Sequence, residues 1–304
     1  MTTLVLGGNG FIGSHLVDKL LAEGHSVTVF DKYKEYFRSP LKEVKYIYAD
    51  FGNRGEIANA LKGIEIVYYL ISTTVPKTSN DDPVFDVSSN VIETLFILEE
   101  CVKQKISKII FISSGGTVYG IPEKLPIDEK SSTNPICSYG ITKLTIEKYL
   151  MLYNFLYGLD YVIIRPSNPY GERQNPNGIQ GLISVLLGRV AKGEIIEIWG
   201  DGNVVRDYIY IKDLIEGIYI ASNQSSSSKI FNIGSGCGYS INYIIDLIKK
   251  TTSKDLQLIY KQQRKFDIPK IYLDVSAAKN QLNWQPLVSL DEGIKITWNY
   301  IKNL

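Results

Sequence analysis

A short apolar run, Thr3–Leu6, ends in Gly7-Gly8-Asn9-Gly10-Phe11-Ile12-Gly13 and passes into an amphipathic stretch, Phe11–Ala22. No other feature constrains the chain as much as this strand, glycine loop and helix. Gly7 permits a tight turn. Gly10 lets the backbone approach a pyrophosphate, which the free N–H groups of the helix N-terminus attract. Gly13 lets helix and strand pack closely. The spacing is Gly-x-x-Gly-x-x-Gly, and glycine-rich turns are common, so the loop needs a second signal. Asp31 supplies it at the end of the next apolar run, Ser26–Phe30. A carboxylate there can accept both ribose hydroxyls of an adenosine and repels a 2′-phosphate. The expected cofactor is therefore NAD, held by Gly7, Gly10, Phe11, Ile12, Gly13 and Asp31. Lys32, beside Asp31, and Lys34 leave NADP as an alternative. Asp50-Phe51 ends a third run and could hold the adenine, unless it is only a turn Asp with a core Phe.

The same alternation continues. Val44–Tyr48, Glu65–Leu70, Lys108–Ile112 and Tyr161–Ile164 read as further strands, rich in Val, Ile and Tyr. Glu56–Leu61, Ser88–Val102 and Tyr139–Tyr157 read as helices between them. Such alternation predicts an α/β chain with a doubly wound parallel sheet of the Rossmann type. Beyond residue 166 the loops lengthen and carry Asn, Pro and Gly. Strands are expected there at Ile195–Trp199 and Lys229–Ile233, and helices at Gly181–Val190, Ile241–Lys250, Ala277–Leu282 and Asp291–Ile301. The expected organisation is a dinucleotide-binding domain over 1–167, with 208–234 returning to it. A smaller α/β C-terminal substrate-binding cap is expected over 168–304.

Bulk properties exclude several classes. Net charge is +1, which gives no attraction to nucleic acid or to an anionic membrane. No apolar run is long enough to span a bilayer, and no signal peptide is expected before the first strand. The three cysteines, Cys101, Cys137 and Cys237, are scattered and odd in number. They suit a reducing cytoplasm and exclude a disulfide framework or a Cys-ligated zinc site. The only histidines, His15 and His25, lie near the glycine loop and read as helix and turn residues rather than as a metal site.

Tyr139 and Lys143 lie four apart at the start of a helix, so both face one side. They follow the fifth strand and the hydroxyl-rich turn Ser113-Ser114-Gly115-Gly116-Thr117-Val118-Tyr119-Gly120. Ligands of open α/β sheets bind at that strand edge. Oxidising a carbinol requires loss of its hydroxyl proton. An unperturbed tyrosine, with a pKa of about 10, is a poor base at neutral pH. A nearby ammonium and a cationic nicotinamide ring would stabilise its phenolate. Lys143 can also bond the nicotinamide ribose, and a hydroxyl of Ser113, Ser114 or Thr117 can share the proton.

With these motifs in place the chain resembles the extended short-chain dehydrogenase/reductases, within the nucleotide-sugar epimerase/dehydratase family, and is most similar to UDP-glucose 4-epimerase-like proteins. The resemblance covers nearly the whole chain, through Arg165–Gly171, Arg206-Asp207-Tyr208-Ile209, Asp274–Ala278 and Leu282-Asn283-Trp284. It implies NAD contacts from the loop, Asp31, Lys32, Asp50, Phe51, Leu70, Ile71, Ser72, Asn90, Tyr139, Lys143 and Pro166. It implies contacts to a nucleotide-diphosphate sugar from Asn168, Gln180, Arg206 and Arg264, with Asp267 near the nucleotide ribose. A homodimer is also implied. Arginine is scarce, at 7 residues. A guanidinium at Arg206 or Arg264 would bind phosphate oxygens in a fork.

The departures narrow the reaction. Many relatives carry the catalytic Ser or Thr at the position of Gly115, so Ser113, Ser114 or Thr117 must serve here. The family's 4,6-dehydratases place Asp-Glu at the positions of Gly116 and Thr117, and its decarboxylases place Glu at that of Thr117. Neither acid is present. What remains is redox at C4. The expected activity is an NAD-dependent 4-epimerase of a UDP-hexose such as UDP-glucose, UDP-N-acetylglucosamine or UDP-glucuronate. The alternatives are an NAD(P)H-dependent reductase of an NDP-4-keto-6-deoxyhexose in surface-polysaccharide biosynthesis, and a non-catalytic dinucleotide-binding regulator. The wall gating the sugar's 2-substituent falls near Ile271.

Overall fold

The computed structural model describes residues 1–224, 228–262 and 268–304. In chain order the elements begin β1 (Thr2–Leu6), α1 (Phe11–Ala22), β2 (Ser26–Asp31), β3 (Val44–Tyr48), α2 (Arg54–Ala60), β4 (Ile66–Tyr69) and α3 (Pro83–Asp86). A π-helical stretch, Val87–Ile92, leads into α4 (Glu93–Lys103). Then come β5 (Lys108–Ile112), α5 (Ser138–Tyr157), β6 (Asp160–Pro166), β7 (Asn168–Tyr170), α6 (Leu182–Lys192), β8 (Ile196–Trp199), β9 (Val205–Arg206) and β10 (Tyr208–Tyr210). The chain ends with α7 (Ile211–Asn223), β11 (Ile230–Ile233), β12 (Tyr239–Ser240), α8 (Ile241–Thr252), β13 (Leu258–Lys261), β14 (Lys270–Ile271), α9 (Ser276–Leu282) and α10 (Leu290–Ile301).

The chain divides into two compact units. The first comprises Met1–Ile121, Ser132–Arg165 and Ile218–Phe231; the second comprises Pro122–Ser131, Pro166–Gly217 and Asn232–Leu304. The main sheet has seven strands in the order β11-β6-β5-β4-β1-β2-β3. Its ladders β1–β2, β1–β4, β2–β3, β4–β5 and β5–β6 are all parallel. This is the doubly wound Rossmann arrangement expected from the sequence. Residues 66–69 of β4 (Ile-Val-Tyr-Tyr) are buried throughout, as are four of five residues in β1 and β5. A strand covered on both faces has no polar side to alternate with. The strand order reverses at β1, whose neighbours are β2 and β4, and the loops after β1 and β4 open at that switch point.

In the second unit β7 pairs with β10, β13 with β8, and β9 lies between β12 and β14. Several of these strands have two or three residues. Trp284 donates its indole N–H to the Asp213 carbonyl (3.1 Å), and the Asp213 carboxylate accepts the N–H groups of Leu287 and Val288 (3.1 and 2.9 Å). Among the described residues no helix is long and apolar enough to cross a membrane.

Candidate active site

The glycine loop forms as its residue types require. Gly7 has φ +86°, a left-handed conformation that favours glycine. A Cβ on Gly13 would lie 2.1 Å from the Gly7 carbonyl oxygen, so only glycine lets α1 pack on the loop. Gly10 is the N-cap of α1, and no side chain caps that end. The first N–H groups of the helix therefore face outward with their partial positive charge. A Cβ on exposed Gly10 would approach nothing nearer than the Gly7 oxygen at 3.4 Å, leaving the backbone open to a ligand.

Asp31 is tied to this loop. Its carboxylate accepts the N–H groups of Asn9 (3.0 Å) and Tyr33 (3.1 Å), one on each oxygen, and the Lys32 N–H also acts on it. Burial pushes the Asp31 carboxyl up from its usual range, against these backbone bonds. Asn9, buried at 5 % exposure, donates through Nδ2 to the Tyr33 carbonyl (2.6 Å). Its Oδ1 is buried with no hydrogen-bond partner. An orphaned acceptor, an uncapped helix and an anchored carboxylate together fit the adenosine diphosphate half of a dinucleotide. Asn9 belongs to the glycine loop, but the glycine spacing alone gives it no role of its own. Lys32 is 2.9 Å from Asp50, both at the surface, and the Asp50 carboxyl is held below its usual range by that ammonium. Phe51 is buried in the core, its ring centroid 5.8 Å from that of Tyr69, so its ring serves packing.

From the glycine loop the structure runs directly to the tyrosine. Gly7 lies against Leu70 and Ile71. Ser72, next in sequence, donates its hydroxyl to the Thr74 carbonyl (3.0 Å) and lies close enough to the Tyr139 phenol to favour its ionised form. Asn90 holds the adjoining segment, accepting from Thr73 N–H (3.0 Å) and donating to Thr73 Oγ1 (2.7 Å). Tyr139 and Lys143 share a face of α5, with Lys143 Nζ 5.6 Å from the Tyr139 ring centroid. Lys143 is buried and donates to the Ile112 carbonyl (3.0 Å). Burial lowers its ammonium to about 8, opposed by Asp86 and Glu147. Burial raises the Tyr139 phenol well above the usual tyrosine range, aided by Cys137 and Asp86 and opposed by Ser72.

The three hydroxyls of the turn are not equivalent. Ser113 is buried and donates to Glu147 Oε1 (2.5 Å). Glu147 in turn accepts Arg165 Nε (3.0 Å) and Nη2 (2.5 Å), and Arg165 Nη1 donates to the Tyr119 hydroxyl (2.9 Å). Ser113 is thus part of a buried polar clamp that ties both ends of the turn to α5. Ser114 is half-buried. Thr117 Oγ1 is buried with no hydrogen-bond partner, so it alone of the three holds an unspent donor in a buried place.

In the second unit, Pro166 is buried at the end of β6, and Asn168 is exposed and bonded through Nδ2 to the Asp207 carbonyl (2.8 Å). Arg206 is half-buried and donates to the carbonyls of Val205 (2.8 Å) and Ile268 (2.7 Å). Its neighbour Asp207 is buried and accepts Ser235 Oγ (2.7 Å) and N–H (2.8 Å), fixing the strand that carries the arginine. Ile271 is buried and opposite Arg206 in the β14–β9 ladder. Gln180 is exposed in the loop before α6. Arg264 and Asp267 lie outside the described residues. Among the described residues no group of His, Cys, Asp or Glu is arranged to hold a metal ion.

A dinucleotide-type loop feeding a Tyr–Lys pair, its lysine buried, on a seven-stranded parallel sheet defines a short-chain dehydrogenase-type enzyme. The profile of the NAD dependent epimerase/dehydratase family matches residues 3–234, and the chain belongs to that family. A putative UDP-glucose 4-epimerase of Methanocaldococcus jannaschii is 39% identical, over 99% of this chain and 98% of the relative. The structure of a Thermotoga maritima UDP-glucose 4-epimerase with UDP-glucose matches with a TM-score of 0.95 at 36% identity, covering 100% of this chain and 99% of that one. The structure of a Thermus thermophilus UDP-glucose 4-epimerase in complex with NAD matches at 0.92 and 31% identity, covering 99% of each.

Proposed function

We propose that this chain is a UDP-hexose 4-epimerase that retains NAD, the first unit holding the dinucleotide and the second the nucleotide sugar. The observation that carries the reading is the path from the uncapped glycine loop through Leu70, Ile71 and Ser72 to half-buried Tyr139 and buried Lys143. The similar proteins of Thermotoga maritima and Thermus thermophilus, seen with UDP-glucose and with NAD, support it. Gly7, Gly10, Phe11, Ile12 and Gly13 would hold the pyrophosphate, and Asp31 the adenosine ribose. When bound, NAD would supply hydride-transfer chemistry and a positive charge that favours phenolate. Tyr139 takes the proton of the sugar 4-hydroxyl and gives it back after the 4-keto sugar has turned over. Lys143 holds the phenolate by its charge, and Thr117 shares the proton through its unpartnered hydroxyl. The turn offers no acid at Gly116 or Thr117 to eliminate water, which keeps the reaction at C4. Asn168, Gln180, Arg206, Arg264 and Asp267 would bind the nucleoside diphosphate.

Denaturing the purified protein is expected to release about one NAD per chain, as a carrier restored each cycle need not leave. The native protein is expected to interconvert at least one of UDP-glucose, UDP-N-acetylglucosamine and UDP-glucuronate with its 4-epimer without added cofactor. An empty protein that turns over only with NADPH and a 4-keto sugar would make it a reductase. The homodimer belongs to the same proposal, and a sedimentation mass of one chain would refute it.

A further inference from the structure

We infer that Asp86 is a positioning residue for the Tyr139–Lys143 pair, its carboxylate gripping the residue in front of each member. Asp86 is fully buried at the end of α3. Its Oδ2 accepts Ser138 Oγ (2.7 Å) and Thr142 Oγ1 (2.8 Å). Its Oδ1 accepts Asn90 Nδ2 (3.1 Å) and Thr74 Oγ1. Ser138 and Thr142 are four apart on α5, the same spacing as Tyr139 and Lys143 moved back by one, so one carboxylate indexes the rotation of that helical turn. An ionised carboxylate has about four acceptor positions, and four donors fill them. The same turn is held from the 73–80 segment. Ser138 N–H donates to Asn80 Oδ1 (2.9 Å), and Tyr139 N–H to Ser79 Oγ (3.0 Å). These side chains cap a helix whose own N-cap, Cys137, offers no side-chain bond.

Position brings charge with it. The groups acting on Tyr139 are Asp86, Cys137, Lys143 and the Ser72 hydroxyl. Those acting on Lys143 are Asp86, Glu147, the Phe111 ring and the Ile112 carbonyl. The negative charge of Asp86 favours the ammonium of Lys143 and the neutral phenol of Tyr139. It therefore keeps Lys143 charged in a dry site and holds the Tyr139 proton until an added positive charge draws it off.

This inference rests on Tyr139 as proton acceptor. In the holoenzyme, Asp86→Asn is expected to lower kcat at its optimum about tenfold or more with KM little changed. The acid limb of the kcat profile should move to lower pH, because the neutral amide no longer opposes the phenolate. A readout independent of turnover is the Lys143 ε-methylene resonance, assigned by its loss in Lys143→Arg. Its titration midpoint should fall in Asp86→Asn. An acid limb and a midpoint both unmoved would overturn the inference. If Asp86→Asn does not fold, Thr142→Val and Thr142→Ser decide. Valine should lower kcat and serine restore it, and equal kcat in the two would overturn it. Full turnover in Tyr139→Phe would instead remove the proton-acceptor reading, so the two failures are distinguishable.

Discussion

Tyr139→Phe is expected to fold, keep its dinucleotide and lose turnover by about 10²–10⁴-fold, the usual contribution of a positioned acid–base group. The ring stays, so its place near Lys143 is kept; only the hydroxyl goes. The protein's own charges explain why the hydroxyl needs help. Burial raises the Tyr139 phenol above its ordinary value, so phenolate forms only at high pH. Burial also lowers Lys143 to about 8, so its ammonium is lost as pH rises through that value. Taken singly the two required forms scarcely coexist at any pH. A phenolate at Tyr139 and an ammonium at Lys143, side by side, would each stabilise the other. A cation added beside the phenol tips the balance toward phenolate. Near-normal kcat in Tyr139→Phe, measured on protein shown to retain its nucleotide, would remove Tyr139 from the chemistry.

The sequence exposed those parts of the molecule whose logic is local. Val44–Tyr48, Lys108–Ile112 and Phe11–Ala22 begin and end where their patterns say, since a two-sided strand and an amphipathic helix each mark themselves in their own residues. Ser88–Val102 does not form one regular helix. Its first part is π-helical, Val87–Ile92, with Asn90 Nδ2 bonded to the Asp86 carbonyl (3.0 Å) and to Thr73 Oγ1 (2.7 Å). A widened turn held by a segment 17 residues away leaves no trace in the helix's own period. Asp86 and Glu147 were passed over for the same reason. Glu147 is an acid within a helical pattern, where acids ordinarily face solvent, Asp86 precedes the helix expected from Ser88, and their partners Arg165 and Thr142 are distant in sequence. The helix Ile211–Asn223 was missed because its isoleucines favour strands and Gly217 interrupts it. A Cβ there would come within 3.0–3.2 Å of Ile233 and Trp284 side-chain atoms, closer than ordinary contact. Strands of two residues, such as Val205–Arg206, are too short to show any period, so nothing in the sequence announces the strand that carries Arg206.

The glycine loop makes a two-part prediction, because Gly10 and Gly13 are glycine for different reasons. A Cβ at Gly13 would meet the Gly7 oxygen at 2.1 Å, Gly8 Cα at 2.7 Å and the Gly7 carbonyl carbon at 2.9 Å. All three are backbone atoms of the loop itself, and no rotamer change can relieve them. Gly13→Ala must therefore push the loop off α1. The overpacking is expected to cost about 1–3 kcal/mol, with Tm falling by roughly 2–4 °C for each kcal/mol. The displaced loop should also empty the protein of nucleotide. At Gly10 the nearest protein atom to an added Cβ is 3.4 Å away, and the backbone is extended (φ −77°, ψ 179°), a conformation open to alanine. Gly10→Ala should then leave the Tm of the nucleotide-free protein unchanged, because nothing in the protein is displaced. It should still lower the nucleotide retained on purification, because the methyl group stands where a pyrophosphate approaches the helix N-terminus. Calorimetry of both variants stripped of nucleotide, with the nucleotide content of each as purified, separates the two roles. Equal losses of Tm would mean that Gly10 is a packing residue like Gly13. Full nucleotide content in Gly10→Ala would mean that the diphosphate is not bound at this end of α1.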